Sequence, residues 1–278
     1  GRGLLAAMAE HAAVVVTDDF PAFFLPRMVA AAGQRLGVRL EAVDTNGLLP
    51  MAAGEREHPT AYAFRRLLQR ELLGHLDPFP LEDPFHDLPP AADLPAEISE
   101  RWPAADLASL TGGPQALAAL PIDHSVTVVE QRGGSAAAED RLRAFLDAGL
   151  DGYGELRNRP DDGAGSGLSP YLHFGHLSAH QAFRELMLRE AWSPECVVPP
   201  ANGRRAGWWG ASPDAEAFLD QLVTWRELGF NVCHFNDGHD RWESLPGWAR
   251  RTLEAHAADP REHRYSLAEL EAASTHDP

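Results

Sequence analysis

Two stretches of this 278-residue chain carry residue types suited to holding a ligand. The first is "SGLSPYLHFGHLSAHQAFREL" (166–186), which opens as a turn and ends as a helix. Ser169 reads as an N-cap and Pro170 as the first helical residue. The N–H groups of such a start converge on one point, which suits a phosphate. The preceding "GAGSG" lets backbone approach a ligand without side chains in the way. Tyr153, across the loop, could close over whatever is bound. Glycine-rich loops before capped helices also occur where nothing binds, so this stretch alone leaves both readings open.

The second stretch is "FLDQLVTWRELGF" (218–230). Leu219, Leu222 and Val223 follow the i, i+3, i+4 rule and face a core. Gln221 and Trp225 are four apart and share an adjacent face. A flat aromatic beside an amide suits a nucleobase, which needs stacking and edge hydrogen bonds. Arg226, at the edge of the core stripe, is expected to seek an anion or carboxylate. The plainer alternative makes Trp225 a core residue and pairs Arg226 with a helix carboxylate. A third segment, "GRRAGWWG" (203–210), mixes Arg204 and Arg205 with Trp208 and Trp209. Interleaved cations and aromatics suit single-stranded or flipped nucleic acid; a tryptophan-anchored loop with solvated arginines is the alternative.

Other chemistries find no support. There are thirteen histidines, and His173 and His176 are three apart, but no HExxH and no Cys–His spacing accompanies them. No metal site is expected. Cys196 and Cys233 give no disulfide framework. No GxSxG elbow and no Walker-type loop occurs. The chemistry is therefore expected from a bound cofactor rather than from a side-chain nucleophile.

The elements that would position these residues read as follows. "AVVVT" (13–17) is a short β-branched run, expected as a buried parallel strand. "FLPRMVAAAGQRLG" reads as a helix, with Gly33 a weak point and Gly37 a stop. "VRLEAVD" (38–44) reads as the next strand, and "TAYAFRRLLQRELLGHL" (60–76) as a strong amphipathic helix. Strand–helix–strand is the βαβ signal. A doubly wound sheet usually has more strands, so the α/β part is expected to be partial. Pro- and Asp-rich sequence without a period follows. Helical segments are expected after about residue 135, with N-terminal signals at Ser178/Gln181, Ser212-Pro213 and Ser266/Glu269. The domain reading is a partial α/β domain over 1–76, a Pro-rich linker over 77–135 and an all-α domain over 136–278.

Bulk properties bound the function. Net charge is −17, which removes a whole-chain basic footprint for nucleic acid. No apolar run approaches the ~18–20 residues of a membrane span. Glu10 and His11 interrupt the one N-terminal apolar patch, and the expectation is a cytoplasmic protein with reduced thiols and no membrane partner.

"SGLSPYLHFG", then "LVTWREL", then "ESLPGWARRTLEAHAADPREHRYSLAELEAASTHD" resemble the photolyase/cryptochrome family. The last run is most similar to the class II cyclobutane pyrimidine dimer (deoxyribodipyrimidine) photolyases. The resemblance implies an α/β antenna-type domain followed by the first part of a helical FAD-binding domain. It implies that Tyr153, Ser166, Leu168, Ser169, Pro170 and Leu172 line the flavin phosphates and ribityl chain. It places Arg226 near the flavin and Trp225 against damaged thymines, with Arg204 and Arg205 as DNA contacts. Photolyases extrude their target base. The implied activity is light-dependent repair of pyrimidine dimers in UV-damaged DNA by electron transfer from reduced FAD, carried out by a monomer. A cryptochrome-like light sensor without repair is the alternative. Class II relatives often carry Glu four residues before the stacking Trp. Here Gln221 stands in that place, and an amide only hydrogen-bonds. The chain is further expected to be truncated at both ends and, alone, to bind FAD weakly.

Overall fold

The computed structural model describes residues 2–276 apart from positions 160 and 162. The chain divides into two compact units, 1–235 and 236–278.

The first unit begins with helix α1 (Leu4–Ala9), strand β1 (Val14–Asp18), helix α2 (Leu25–Gly33) and strand β2 (Arg39–Val43). β1 and β2 pair in parallel, with Val14 opposite Arg39 and Asp18 opposite Val43. Parallel neighbours need a crossover, and α2 supplies it. The sequence reading of a buried β1 is corrected: no residue of this strand is buried, and Val16 is 61% exposed. A two-stranded sheet gives each strand a single neighbour, and both faces of β1 remain partly open.

Helix α3 (Ala61–Glu71) starts where the sequence places it. Thr60 caps it by accepting the Ala63 N–H, and a 3₁₀ turn over Leu72–His75 follows. Residues 77–134 are largely irregular, with only three short helices, α4 (Ala96–Arg101), α5 (Leu107–Thr111) and α6 (Pro114–Ala118). The helical body then comprises α7 (Ser135–Ala144), α8 (Tyr153–Leu156), α9 (Ser169–His173), α10 (Ala179–Arg189), α11 (Pro213–Leu219) and α12 (Arg226–Phe235). π-helical turns follow α7 at Phe145–Gly149 and join α11 to α12 at Asp220–Trp225. No strand occurs among the described residues after β2.

One apolar core runs through this unit. It takes Leu48, Phe64, Leu68 and Leu72 from the α3 region, and Leu142, Phe145, Leu186, Phe218, Leu219 and Val223 from the helical body. Burial of such side chains is worth about 1.5–3 kcal/mol each. α3 is thereby fused to the helices that carry the site.

The second unit contains α13 (Gly247–Ala255) and α14 (Leu267–Glu271). Ser266 and Glu269 form the expected capping box at α14, each closing on the other's backbone N–H. At α10, Ser178 accepts the Gln181 N–H.

Candidate functional site

The Pro213–Phe235 rod is fixed by buried and half-buried polar side chains, most of them meeting backbone or a cation from elsewhere in the unit. Ser212 caps it by accepting the Ala215 N–H. Asp214 accepts the Gly152 and Gly154 N–H groups at 2.9 and 2.8 Å, which orients Tyr153 between them. Glu216 accepts the N–H groups of Gly207 and Gly210, the second at 3.1 Å. Asp220 sits between Arg65 (3.5 Å) and Arg205 (3.3 Å). Glu227 accepts the Leu48 N–H at 2.6 Å and the Leu49 N–H at 3.2 Å. Asn231 accepts the His58 N–H at 2.8 Å and donates to the Arg56 carbonyl at 3.2 Å. Buried polar groups without partners are costly, so each contact has one favoured arrangement.

The π turn sits between these anchors. Over it, Asp220, Leu222, Val223 and Thr224 are buried and Gln221 is half-buried. Trp225 stands 51% exposed. The plain core reading of Trp225 is thus corrected. π turns are common where a side chain is re-aimed for function. Here the turn keeps Asp220 inward on its two arginines while Trp225 faces out.

Trp225 opens onto a cavity of about 610 Å³. Tyr153, Ser166, Leu168, Ser169 and Leu172 line it together with Gln221, Leu222, Trp225 and Arg226. Of the cofactor residues expected from the sequence, only Pro170 is not in the lining. Phe20, His173, Phe218 and Phe230 complete it; none of them was expected as a cofactor residue. Their signal is spatial: Phe20 comes from the turn after β1 and meets Phe230 edge-on at 5.6 Å. Phe145, Tyr153 and Phe218 form an aromatic triangle, with centroids 4.8–5.7 Å apart.

The glycine-rich loop beside the cavity is held by Arg141, another residue the sequence did not reveal. Its Nε donates to the Ser166 carbonyl at 2.6 Å and its Nη2 to the Gly165 carbonyl at 3.1 Å. Gly167 has φ +69°, and a Cβ there would lie 2.5 Å from Arg141 Nε. Only glycine takes both the backbone and the closeness. The helix start is corrected by one residue. α9 has Leu168 as N-cap, Ser169 and Pro170 both lie in its first turn, and no side chain caps it. Ser166 Oγ instead accepts the Leu168 N–H at 3.3 Å.

Arg226 also departs from expectation. Among the described residues it forms no ion pair: its Nη1 donates to the Asn46 carbonyl, and its guanidinium lies 4.8 Å over the Phe230 ring. Burial lowers its pKa, with Glu227 opposing. Burial pushes the Glu227 carboxyl up to about 8, against the Leu48 and Leu49 N–H bonds. Burial also lowers His180, and the Arg226 charge adds to the shift.

The "GRRAGWWG" loop is anchored by its tryptophans, Trp208 and Trp209, both buried. Trp192 Nε1 donates to the Trp209 carbonyl at 2.7 Å. Arg204 Nη2 donates to the Val198 and Gly207 carbonyls at 2.5 and 2.8 Å. Both arginines thus have protein partners, although Arg205 stays half exposed. Among the described residues, no three His, Cys, Asp or Glu side chains are placed to hold a metal. No helix among them is long and apolar enough to cross a membrane.

A strand–helix–strand layer is joined to a helical body, in a mixed α/β and α-helical protein whose aromatic cavity lies beside a glycine-rich loop. No family model matches the chain. Curated relatives do. The deoxyribodipyrimidine photo-lyase of Methanothermobacter thermautotrophicus is 32% identical over 279 residues, covering 99% of this chain and 53% of that protein. The enzyme of the same name from Oryza sativa subsp. japonica is 32% identical over 251 residues, covering 87% of this chain and 43% of its own length. That from Potorous tridactylus is 35% identical over 162 residues, 58% of this chain and 27% of the relative. Over most of its own length the chain is similar to enzymes of the photolyase family. It spans about half the length, or less, of these relatives.

Proposed function

We propose that this protein is a deoxyribodipyrimidine photo-lyase of the class II type, repairing cyclobutane pyrimidine dimers in UV-damaged DNA. The domain reading that accompanies it is a partial α/β antenna-type domain over 1–76, a linker over 77–135 and the first part of a FAD-binding domain over 136–278. One observation carries the proposal. The motif residues, scattered between Tyr153 and Arg226, converge on a single cavity beside an exposed tryptophan.

The cavity fits a flavin in three respects. Its volume lies in the range of cofactor sites, roughly 300–1,000 Å³. The Gly165–Gly167 backbone, held by Arg141, offers a close approach free of side chains. The Ser169 end of α9 and the Arg226 guanidinium bring positive character suited to a diphosphate and an electron-rich ring. Tyr153, Ser166, Leu168, Ser169, Leu172 and Arg226 would hold FAD, with Pro170 shaping the helix start beside them. When bound in its reduced form, FAD would supply light-driven one-electron chemistry at this cavity.

The remaining roles belong to this chain's side chains. Trp225 offers an indole face on which an extruded dimer can stack. Gln221, one helical turn earlier, hydrogen-bonds a base edge but carries no proton to give. Arg204 and Arg205 contribute positive charge near the buried Asp220 end of the same rod. Leu222 and Phe218 add apolar surface to the cavity lining.

The test is a flavin titration followed by illumination. The protein should bind FAD with quenched flavin fluorescence. Under reducing conditions and blue light it should then remove dimers from a UV-treated oligonucleotide. A flavin-bound protein showing no light-dependent loss of dimers would sink the repair reading.

A further inference from the structure

A second concave surface lies apart from the cavity and shares no lining residue with it. It is an open groove of about 710 Å³ between α3 and the 53–58 loop. Tyr62, Arg66 and Arg70 line it from α3, and Arg56 and His58 from the loop. The three α3 residues are spaced by four, so they form one stripe along the helix. A helical rise of about 6 Å separates Arg66 from Arg70 along this stripe.

The loop side is built rather than incidental. Buried Asn231 holds both the His58 N–H and the Arg56 carbonyl. The His58 ring meets the buried Phe64 edge-on at 5.9 Å. Burial, then the charges of Arg56 and Arg70, hold His58 below its ordinary pKa. Glu55 and Glu71 also line the groove, beside Arg56, Arg66 and Arg70. Glu71 is taken up by Arg70 at 2.6 Å. The guanidiniums of Arg56 and Arg66 have no hydrogen-bond or ion-pair partner among the described residues. In a chain of net charge −17, two unpaired arginines converging on one groove are out of keeping with their surroundings. Arg204 and Arg205, by contrast, are bound to carbonyls and to Asp220.

We propose that the groove between α3 and the 53–58 loop is an auxiliary nucleic-acid contact, in which Arg56 and Arg66 bind successive phosphates of a strand and Tyr62 stacks on a base. Tyr62 is exposed, as stacking requires. The groove is open along the helix, which suits a polymer better than an isolated phosphate compound. The proposal extends the nucleic-acid part of the reading above and uses none of its residues.

The probe is a fluorescein-labelled, undamaged single-stranded oligonucleotide, followed by anisotropy from about 50 mM salt upward. Arg56→Gln with Arg66→Gln should weaken binding at least about fivefold. The slope of log K against log salt should shrink by about 1.4, near 0.7 for each phosphate no longer neutralised. Arg56→Lys with Arg66→Lys keeps the charges and should keep the slope. FAD titration and the thermal unfolding midpoint should be unchanged in both variants. No binding by the unaltered protein at about 50 mM salt overturns the proposal. So does an unchanged slope in the Gln variant, or binding of inorganic tripolyphosphate without binding of the oligonucleotide. If the protein binds no flavin but shows the slope change, the repair reading fails and the groove stands.

Discussion

The β1–β2 sheet and the Pro213–Phe235 rod hold their residues in opposite ways. The sheet is a single parallel pair whose valines lie largely in the open. The rod is a helix interrupted by one π turn, and Asp214, Glu216, Asp220, Glu227 and Asn231 each bind backbone or a cation from another segment. Hydrophobic burial alone tolerates slippage and repacking. Buried hydrogen bonds do not, because a shift of one residue leaves donors and acceptors unpaired. The rod carries Gln221, Trp225 and Arg226, so the stricter kind of restraint lies where a ligand must be positioned.

The largest expected effect is at Glu227. Glu227→Ala removes the acceptor for two buried N–H groups and opens a void. A loss of about 3–5 kcal/mol in urea unfolding is expected. Val16→Ala in the sheet should stay within about 0.5 kcal/mol. Equal losses at the two positions would erase the contrast.

Glu227 also gives the contrast a pH signature. Its folded pKa, about 8, lies above its unfolded value of 4.5. The proton is therefore held more tightly in the folded state. The associated stability is fully present below pH 4.5 and is lost as pH rises through about 8. Between those limits the slope approaches about 1.4 kcal/mol per pH unit. Glu227→Gln cannot ionise, so the variant's unfolding free energy should lack this decline. Its amide donors fit the Leu48 and Leu49 N–H groups less well, so it should start about 1–2 kcal/mol lower at pH 5. Parallel pH profiles for the two proteins would contradict the assignment. The neighbouring Gly47 fits the same picture, since a Cβ there would lie 2.6 Å from Glu227 Cδ.

A smaller effect is expected at the loop beside the cavity. Gly167→Ala meets both a positive φ and the Arg141 guanidinium. It should cost about 1–3 kcal/mol. Because Arg141 carries the Gly165 and Ser166 carbonyls, FAD affinity should fall with stability. Arg141→Lys, which keeps charge but not the two-carbonyl fork, separates the causes. It should weaken FAD binding while sparing the Gly167 backbone.

Local signals survived from sequence to structure, and long-range ones were invisible. Thr60, Ser212 and Ser266 start helices because their side chains reach N–H groups three residues on. Leu219, Leu222 and Val223 are buried because helical period alone places them inward. The βαβ order was legible, but the burial of β1 was not, since it depends on how many strands flank it. Ser169 was read as the cap because Ser-Pro is the usual signal. In the fold the loop turns one residue earlier, where Gly167 permits it. Glu227 carries no local signal of burial in "WREL". Its partners, Leu48 and Leu49, lie 179 and 178 residues away. Arg141 was hidden for the same reason, 25 residues from Ser166. Most of the cavity lining was readable as a motif; the residues that hold that motif in shape were not.

The smallest stability effect is expected at Trp225, where function and folding separate. Its indole is half exposed and lies outside the core cluster. Trp225→Ala should therefore change unfolding free energy by about 0.5 kcal/mol or less. The rod would keep its shape, because Asp220 and Glu227 on either side hold it without the indole. Binding to a dimer-containing oligonucleotide should nonetheless weaken by about 1–3 kcal/mol, the worth of one stacked base. Trp225→Phe should recover part of this, since a smaller ring still stacks. A large loss of stability in Trp225→Ala would return the residue to the core and remove the main reason to see a substrate face here. A retained fold with lost affinity places the indole on the ligand side of the rod and its buried acids on the scaffold side.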